Sequence, residues 1–150
     1  MAEVVAGVAS IVAIIQISDR IIGACRSYFD SFQDYPKDLR LIYVETASIK
    51  VVLESLTFLD KDDPEDFATL QALGAHDGPV EACMKTMQEL SGLLPHALPQ
   101  FSTKKTKKQK LGHALTILAW PMKSERAHKL LNEITQYKST ISLALAGELL

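Results

Sequence analysis

The sequence predicts an all-α protein, a four-helix-bundle-like domain of five to six helices in which long antiparallel helices are joined by short loops. Three observations predict it. Apolar residues recur at steps of three and four along nearly the whole chain, which is the spacing of one helical face. No stretch sustains the apolar and polar alternation of a half-buried strand. The periodic segments are punctuated by Pro, Gly and acidic clusters of the kind that start and stop helices. At 150 residues the chain matches one domain with its own core, so residues 1–150 read as a single helical bundle.

The first helix is expected from Ala2 to about Phe32. From Val4 to Ser18 it is uncharged and made almost entirely of Val, Ile and Ala; beyond that Ile21, Ile22, Cys25, Tyr28, Phe29 and Phe32 hold one face, so it becomes amphipathic halfway along. Pro36 suits a first helical position and Asp38 favours the positive end of the helix dipole. A second helix is therefore expected from there to about Leu59, with Leu39, Ile42, Thr46, Ile49, Leu53 and Leu56 as its seam. Asp63-Pro64-Glu65-Asp66 reads as an N-cap, a first-turn Pro and two dipole-matched acids. The short helix they open should stop at Gly74, and Gly78-Pro79-Val80-Glu81 should start another.

That fourth helix carries Val80, Cys83, Met87, Leu90 and Leu94 and stops before Pro95; Pro95 to Thr103 reads as a loop. Lys104, Lys105, Lys107, Lys108 and Lys110 open the next segment, whose apolar side is Leu111, Leu115 and Leu118. Trp120-Pro121 should interrupt it, because a residue before proline avoids the α region. The last helix, with Ala127, Leu130, Ile134, Tyr137, Ile141 and Leu145, should continue to the chain end. An ending inside a helix suggests a domain cut from a longer protein.

The uncharged segment is the strongest functional clue. A helix that is apolar all round must be buried completely or must meet lipid. Fifteen residues span roughly 22 Å, short of the ~30 Å hydrocarbon core, so the stretch is too short for a conventional anchor. Glu3 stands where a signal peptide would carry a basic residue. A core helix in the resting state, with conditional membrane contact, satisfies both constraints. Val5, Val8, Val12 and Ile15 form a bulky side; Ala2, Ala6, Gly7, Ser10 and Ala13 form a small-residue side suited either to close helix approach in lipid or to core packing.

The overall charge of −2 draws neither nucleic acid nor an anionic surface. Attraction must be local, and the lysine run at 104–110 is the one strong candidate. It serves either as a solvated helix start or as a tether to anionic lipid, the latter worth ~1 kcal/mol per lysine near the surface. No aromatic residues interleave it, so no nucleic-acid partner is expected. No phosphate-binding loop, serine-hydrolase elbow or zinc-protease motif is present, and His76, His96, His113 and His128 lack metal-ligand spacing. Asp62, Asp63, Glu65 and Asp66 lack calcium-loop spacing, and helix capping explains them. The chain is expected to be no enzyme and to need no cofactor. Cys25 and Cys83 fit small buried residues in a reducing, cytoplasmic compartment.

Three blocks together resemble one family. Ala2-Glu3-Val4-Val5-Ala6-Gly7-Val8-Ala9-Ser10-Ile11-Val12-Ala13-Ile14-Ile15-Gln16 resembles the opening of the N-terminal HeLo-like and SesA-like domains of fungal NOD-like (STAND) receptors. Tyr35-Pro36-Lys37-Asp38-Leu39-Arg40, followed by Val52-Leu53-Glu54-Ser55-Leu56, is similar to the start of that group's second helix. Trp120-Pro121-Met122-Lys123, through Leu130-Leu131 to Ser142-Leu143-Ala144-Leu145, is similar to its closing helix. The resemblance implies an effector domain fused to a downstream NACHT or NB-ARC module or to a patatin-like hydrolase. It would self-associate on activation, relocate from the cytoplasm to the plasma membrane and execute programmed cell death in innate immunity or heterokaryon incompatibility. By position, Val4, Val5, Val8, Ile11, Val12, Ile14 and Ile15 would be the membrane-active residues. The alternative is a soluble adaptor that recruits a downstream partner by helix packing, with the first helix permanently in the core.

Overall fold

The computed structural model describes residues 2–31, 36–94 and 107–147, with side chains at 7–30, 36–94 and 120–147. Among them are five helices and no strand: α1 (Ala2–Ser31), α2 (Asp38–Leu56), α3 (Pro64–Leu73), α4 (Pro79–Leu93) and α5 (Lys107–Leu145). The protein is an all-α multi-helix bundle. α1 and α5 stand diagonally opposite, each packed against both α2 and α4, while α3 lies against α1 and touches α5.

The direction of each helix follows from its polar contacts. Lys50 Nζ reaches Asp19 at 2.6 Å and Arg26 donates to Tyr43 Oη at 3.3 Å, so α1 and α2 are antiparallel. Thr86 donates to Glu133 at 3.1 Å, Arg126 pairs with Glu89, and Lys123 Nζ donates to the Leu93 carbonyl at 3.2 Å, so α4 and α5 are antiparallel too. α2 and α5, however, run side by side in the same direction: Asp38 meets Ser124, and Glu45 meets Lys138. The chain crosses the end of the bundle diagonally from α2 to α4, and α3 makes that crossing, a recognised variation on the four-helix bundle.

Each wall helix turns one seam inward. Leu39, Ile42, Thr46, Ile49, Leu53 and Leu56 of α2 are all buried, as are Val80, Cys83, Met87 and Leu90 of α4 and Ala127, Leu130, Ile134 and Ile141 of α5. The sequence-derived caps of α3 are present. Asp63 is extended at the N-cap and its Oδ1 accepts the Glu65 amide at 2.9 Å, with Pro64 next in line; the Gly74 amide closes the helix on the Leu70 carbonyl at 2.9 Å. The neighbouring acids also serve the backbone, Asp60 Oδ1 accepting from the Asp62 amide and Asp66 Oδ2 from the Asp60 amide.

Four boundaries differ from expectation. α2 ends at Leu56 rather than near Leu59, the Thr57 amide turning back to the Glu54 carbonyl at 3.0 Å. Pro36 precedes α2 in a turn closed by the Leu39 amide on its carbonyl at 3.0 Å, so Asp38 opens the helix. Trp120-Pro121 does not interrupt the last segment: α5 runs unbroken through Pro121, which fuses the two expected helices into one of 39 residues. An internal proline costs a helix about 3 kcal/mol, and burial and hydrogen bonding of the adjacent Trp120 offset it. Finally, α5 ends at Leu145 rather than running on, because Gly147 takes φ 76°, a left-handed conformation suited to glycine, and its amide turns back to Ala144 at 3.1 Å. The expected loop at 95–103 lies outside the described residues.

Candidate functional site in the amino-terminal helix

Thirty residues make α1 the second longest helix, although its Val and Ile are mediocre helix formers. Packing therefore holds it where propensity alone would not. Gly7, Ile11, Ile14, Ser18, Ile21, Cys25 and Tyr28 step by three and four along the buried side. Ser18 reaches this apolar position by returning its hydroxyl to the Ile14 carbonyl at 2.9 Å.

The expected membrane-active residues divide between two faces. Ile11 and Ile14 point into the core at 2 % and 0 % exposure, Val12 points out at 45 %, and Val8 and Ile15 are half-buried. The side chains of Val4 and Val5 lie outside the described residues. α1 is thus a wall helix, neither fully enclosed nor fully exposed. Its outer face from Ala9 through Val12 to Gln16 bears no charge. The small residues do not form one open side either: Gly7 is buried, Ser10 and Ala13 are half-buried, and the side chains of Ala2 and Ala6 are outside the described residues.

The charge-free stretch is short, but Gly7–Asp30 is one helical segment of 24 residues, long and apolar enough to cross a membrane by length and composition, with less than half of its apolar window buried. It rises about 36 Å against a core of ~30 Å.

α1 is fastened unevenly. Among the described residues, no hydrogen bond or ion pair joins a side chain from Gly7 to Ser18 to another helix, and packing holds this stretch. Polar contacts begin at Asp19 with Lys50 and continue where Arg26 lies over the Tyr43 ring, 5.8 Å from its centroid, and Phe29 meets that ring edge-on.

At the amino end Gly7 sits against Gly74, so near that a Cβ on Gly7 would lie 2.9 Å from the Gly74 Cα. Two backbones meet there, and neither can swing aside. Gly7→Ala gains about 0.5–1 kcal/mol in helix propensity but incurs about 1–3 kcal/mol of overpacking. A net loss near 1 kcal/mol is expected in urea denaturation. Gly92→Ala on α4, where the added Cβ meets nothing within 4 Å, should instead be neutral or stabilising. Equal shifts of one sign in both variants would refute the close approach.

A second polar centre joins α2 to α5. Asp38 Oδ2 accepts from Trp120 Nε1 at 2.9 Å and from Ser124 Oγ at 2.7 Å, and Asp38 Oδ1 accepts from His128 Nε2 at 2.8 Å. These are Ser, His and Asp, but the serine donates to the carboxylate and not to the imidazole, so this is not the relay that activates a nucleophile. The contacts instead bind two of the sequence blocks described above to each other. Burial alone would raise the Asp38 pKa and is the largest single influence. Hydrogen bonds from Ser124 and Trp120 together with His128 outweigh it, holding the carboxyl below its ordinary 3.8.

Because the folded pKa lies below the unfolded one, the stabilisation is fully present above about pH 4 and is lost as pH falls through the folded value. In acid titrations followed by circular dichroism, the stability difference between wild type and Asp38→Asn should shrink below about pH 4. A difference constant with pH would contradict the assignment.

Cys25 and Cys83 are both fully buried, and burial pushes each thiol up to about 12. Neither is reactive in the folded bundle. Sequence spacing missed one cluster: His76, Asp77 and Glu81 bring ligand atoms within 4.8 Å of one another. The Glu81 carboxylate is already engaged by the Asp77 amide at 2.8 Å, and the group sits at the positive end of α4, where the dipole opposes a cation. Lys104 and Lys105 lie outside the described residues, and so do the side chains of Lys107, Lys108 and Lys110 in the first turn of α5. No family model, curated protein or solved structure matches the chain.

Proposed function

We propose that this chain is a non-enzymatic effector domain that acts on membranes by releasing the amino-terminal half of α1 and self-associating through it. One observation carries the reading. From Gly7 to Ser18, α1 has a buried face of Gly7, Ile11 and Ile14, an outer face without charge and, among the described residues, no polar tie to another helix. Such a segment can leave without breaking an ion pair among the described residues, and on leaving it is uncharged on every side and largely apolar. Exposing Ile11 or Ile14 to water costs about 1.5–3 kcal/mol each, so release needs lipid or other copies of the helix to cover them. The resemblance to HeLo-like and SesA-like domains supports the same reading, with the protein cytoplasmic at rest and moved to the plasma membrane by a downstream nucleotide-binding module. The lysines at 104–110 would then meet anionic lipid.

The adaptor alternative, in which α1 never leaves, draws on the complete burial of Ile14 and Ile21. Dye release from anionic liposomes separates the two readings, and the best variant is Val12→Asp, because Val12 is 45 % exposed and its replacement should leave the bundle folded, as circular dichroism would check. Wild type should leak dye, and folded Val12→Asp should lose most of that leakage. Undiminished leakage from Val12→Asp, or none from wild type even after forced oligomerisation, would move the assignment to the adaptor.

A further inference from the structure

α2 carries a second seam, on the side away from the core. Leu41, Val44, Ser48, Val51, Ser55 and Phe58 follow one another at steps of three and four, the same rhythm as the buried seam opposite. Leu41 is 49 % exposed, Val44 57 %, Val51 62 % and Phe58 86 %. Leu41, Val44 and Val51 thus lie open in one row on α2, and Phe58 follows in the turn just past its end at Leu56. Isolated exposed apolar residues need no explanation, but an aligned row of them is the kind of patch that marks a contact surface.

The charges at its two ends indicate what covers it. Lys37 and Arg40 are exposed at the amino end of α2. At the carboxyl end the exposed charges are chiefly acidic: Glu54, then Asp60, Asp62 and Asp63 in the turn that follows. An anionic membrane would be repelled by that end. A parallel helix pair would set like ends together. A second α2 running antiparallel sets the basic end of each copy against the acidic end of the other, opposes the helix dipoles favourably and lets Ser48 and Ser55 admit the bulkier residues opposite them.

We infer that the outer seam of α2 is the surface on which two copies of this chain pair about a two-fold axis. A register centred between Ser48 and Val51 puts Val44 opposite Ser55 and Ser48 opposite Val51, and it turns the end of each copy that bears Lys37 and Arg40 toward the acidic end of the other, with Glu54 and the Asp60, Asp62 and Asp63 turn. Such an interface is isologous, so each contact occurs twice. It leaves α1 in place within each bundle and stands independently of the membrane reading.

Sedimentation of the 150-residue protein up to about 100 µM tests it, with dimer expected in the micromolar range. Val44→Asp combined with Val51→Asp should give a folded monomer, because both side chains are already exposed. Lys37→Glu and Asp62→Lys should each weaken the dimer about tenfold at its two symmetric ends, and the double variant should restore it. A wild-type monomer at the highest concentration would overturn the inference. So would a dimer indifferent to Val44→Asp with Val51→Asp, or charge reversals that add instead of cancelling.

Discussion

Replacing Trp120 with alanine should lower the free energy of unfolding by about 3–5 kcal/mol, the range for deleting a buried large aromatic. Trp120 is 4 % exposed and donates its indole N–H to Asp38. Its loss removes packing between α2 and α5 and a hydrogen bond to a charged acceptor, at the place where Pro121 already weakens the α5 ladder. Trp120→Phe keeps most of the ring and loses chiefly the hydrogen bond, worth about 1.5–3 kcal/mol when its acceptor is ionised. Urea denaturation of the three proteins should rank them in that order. A loss below 1 kcal/mol for the alanine variant would mean that the junction is not what offsets Pro121 in α5.

Ile14→Ala should be nearly as damaging, at about 2–5 kcal/mol, because Ile14 is fully buried and its removal leaves a cavity between α1 and its neighbours. Val12→Ala, two residues earlier but outward, should cost no more than about 0.5 kcal/mol. The contrast tests the rotational setting of α1 directly, since a helix turned by half a revolution would reverse it. Hydrogen exchange adds a second readout. If the amino-terminal half opens as its own unit, Ile14→Ala should speed exchange across residues 7–18 more than across α2 or α4.

How much of this was legible in the sequence depends on the segment. The buried seams of α2 and α4 were readable because their apolar residues stand out against polar neighbours, and Asp63-Pro64 announced its helix through local cap chemistry alone. The rotation of α1 was not readable. Where every residue is apolar, periodicity carries no signal, and only the surrounding helices determine that Ile11 and Ile14 turn inward while Val12 turns out. Pro121 misled for a different reason: the rule against proline is local, whereas what overrides it comes from Asp38, 82 positions from Trp120. Gly147 held the stop signal for α5, a single residue within an otherwise helical pattern. The outer seam of α2 was in the sequence at the correct spacing, but a stronger seam in the same helix occupied the same rhythm.

The uneven fastening of α1 makes its two halves answer to different changes in the surroundings. Packing without charge weakens in the cold, because the transfer of apolar surface from water loses strength on cooling, and it is little affected by ionic strength. Past Asp19 the added ion pair with Lys50 is partly exposed and is screened as salt rises. Chilling therefore weakens the packing on which the amino-terminal half relies, whereas salt weakens an ion pair made only from Asp19 onward.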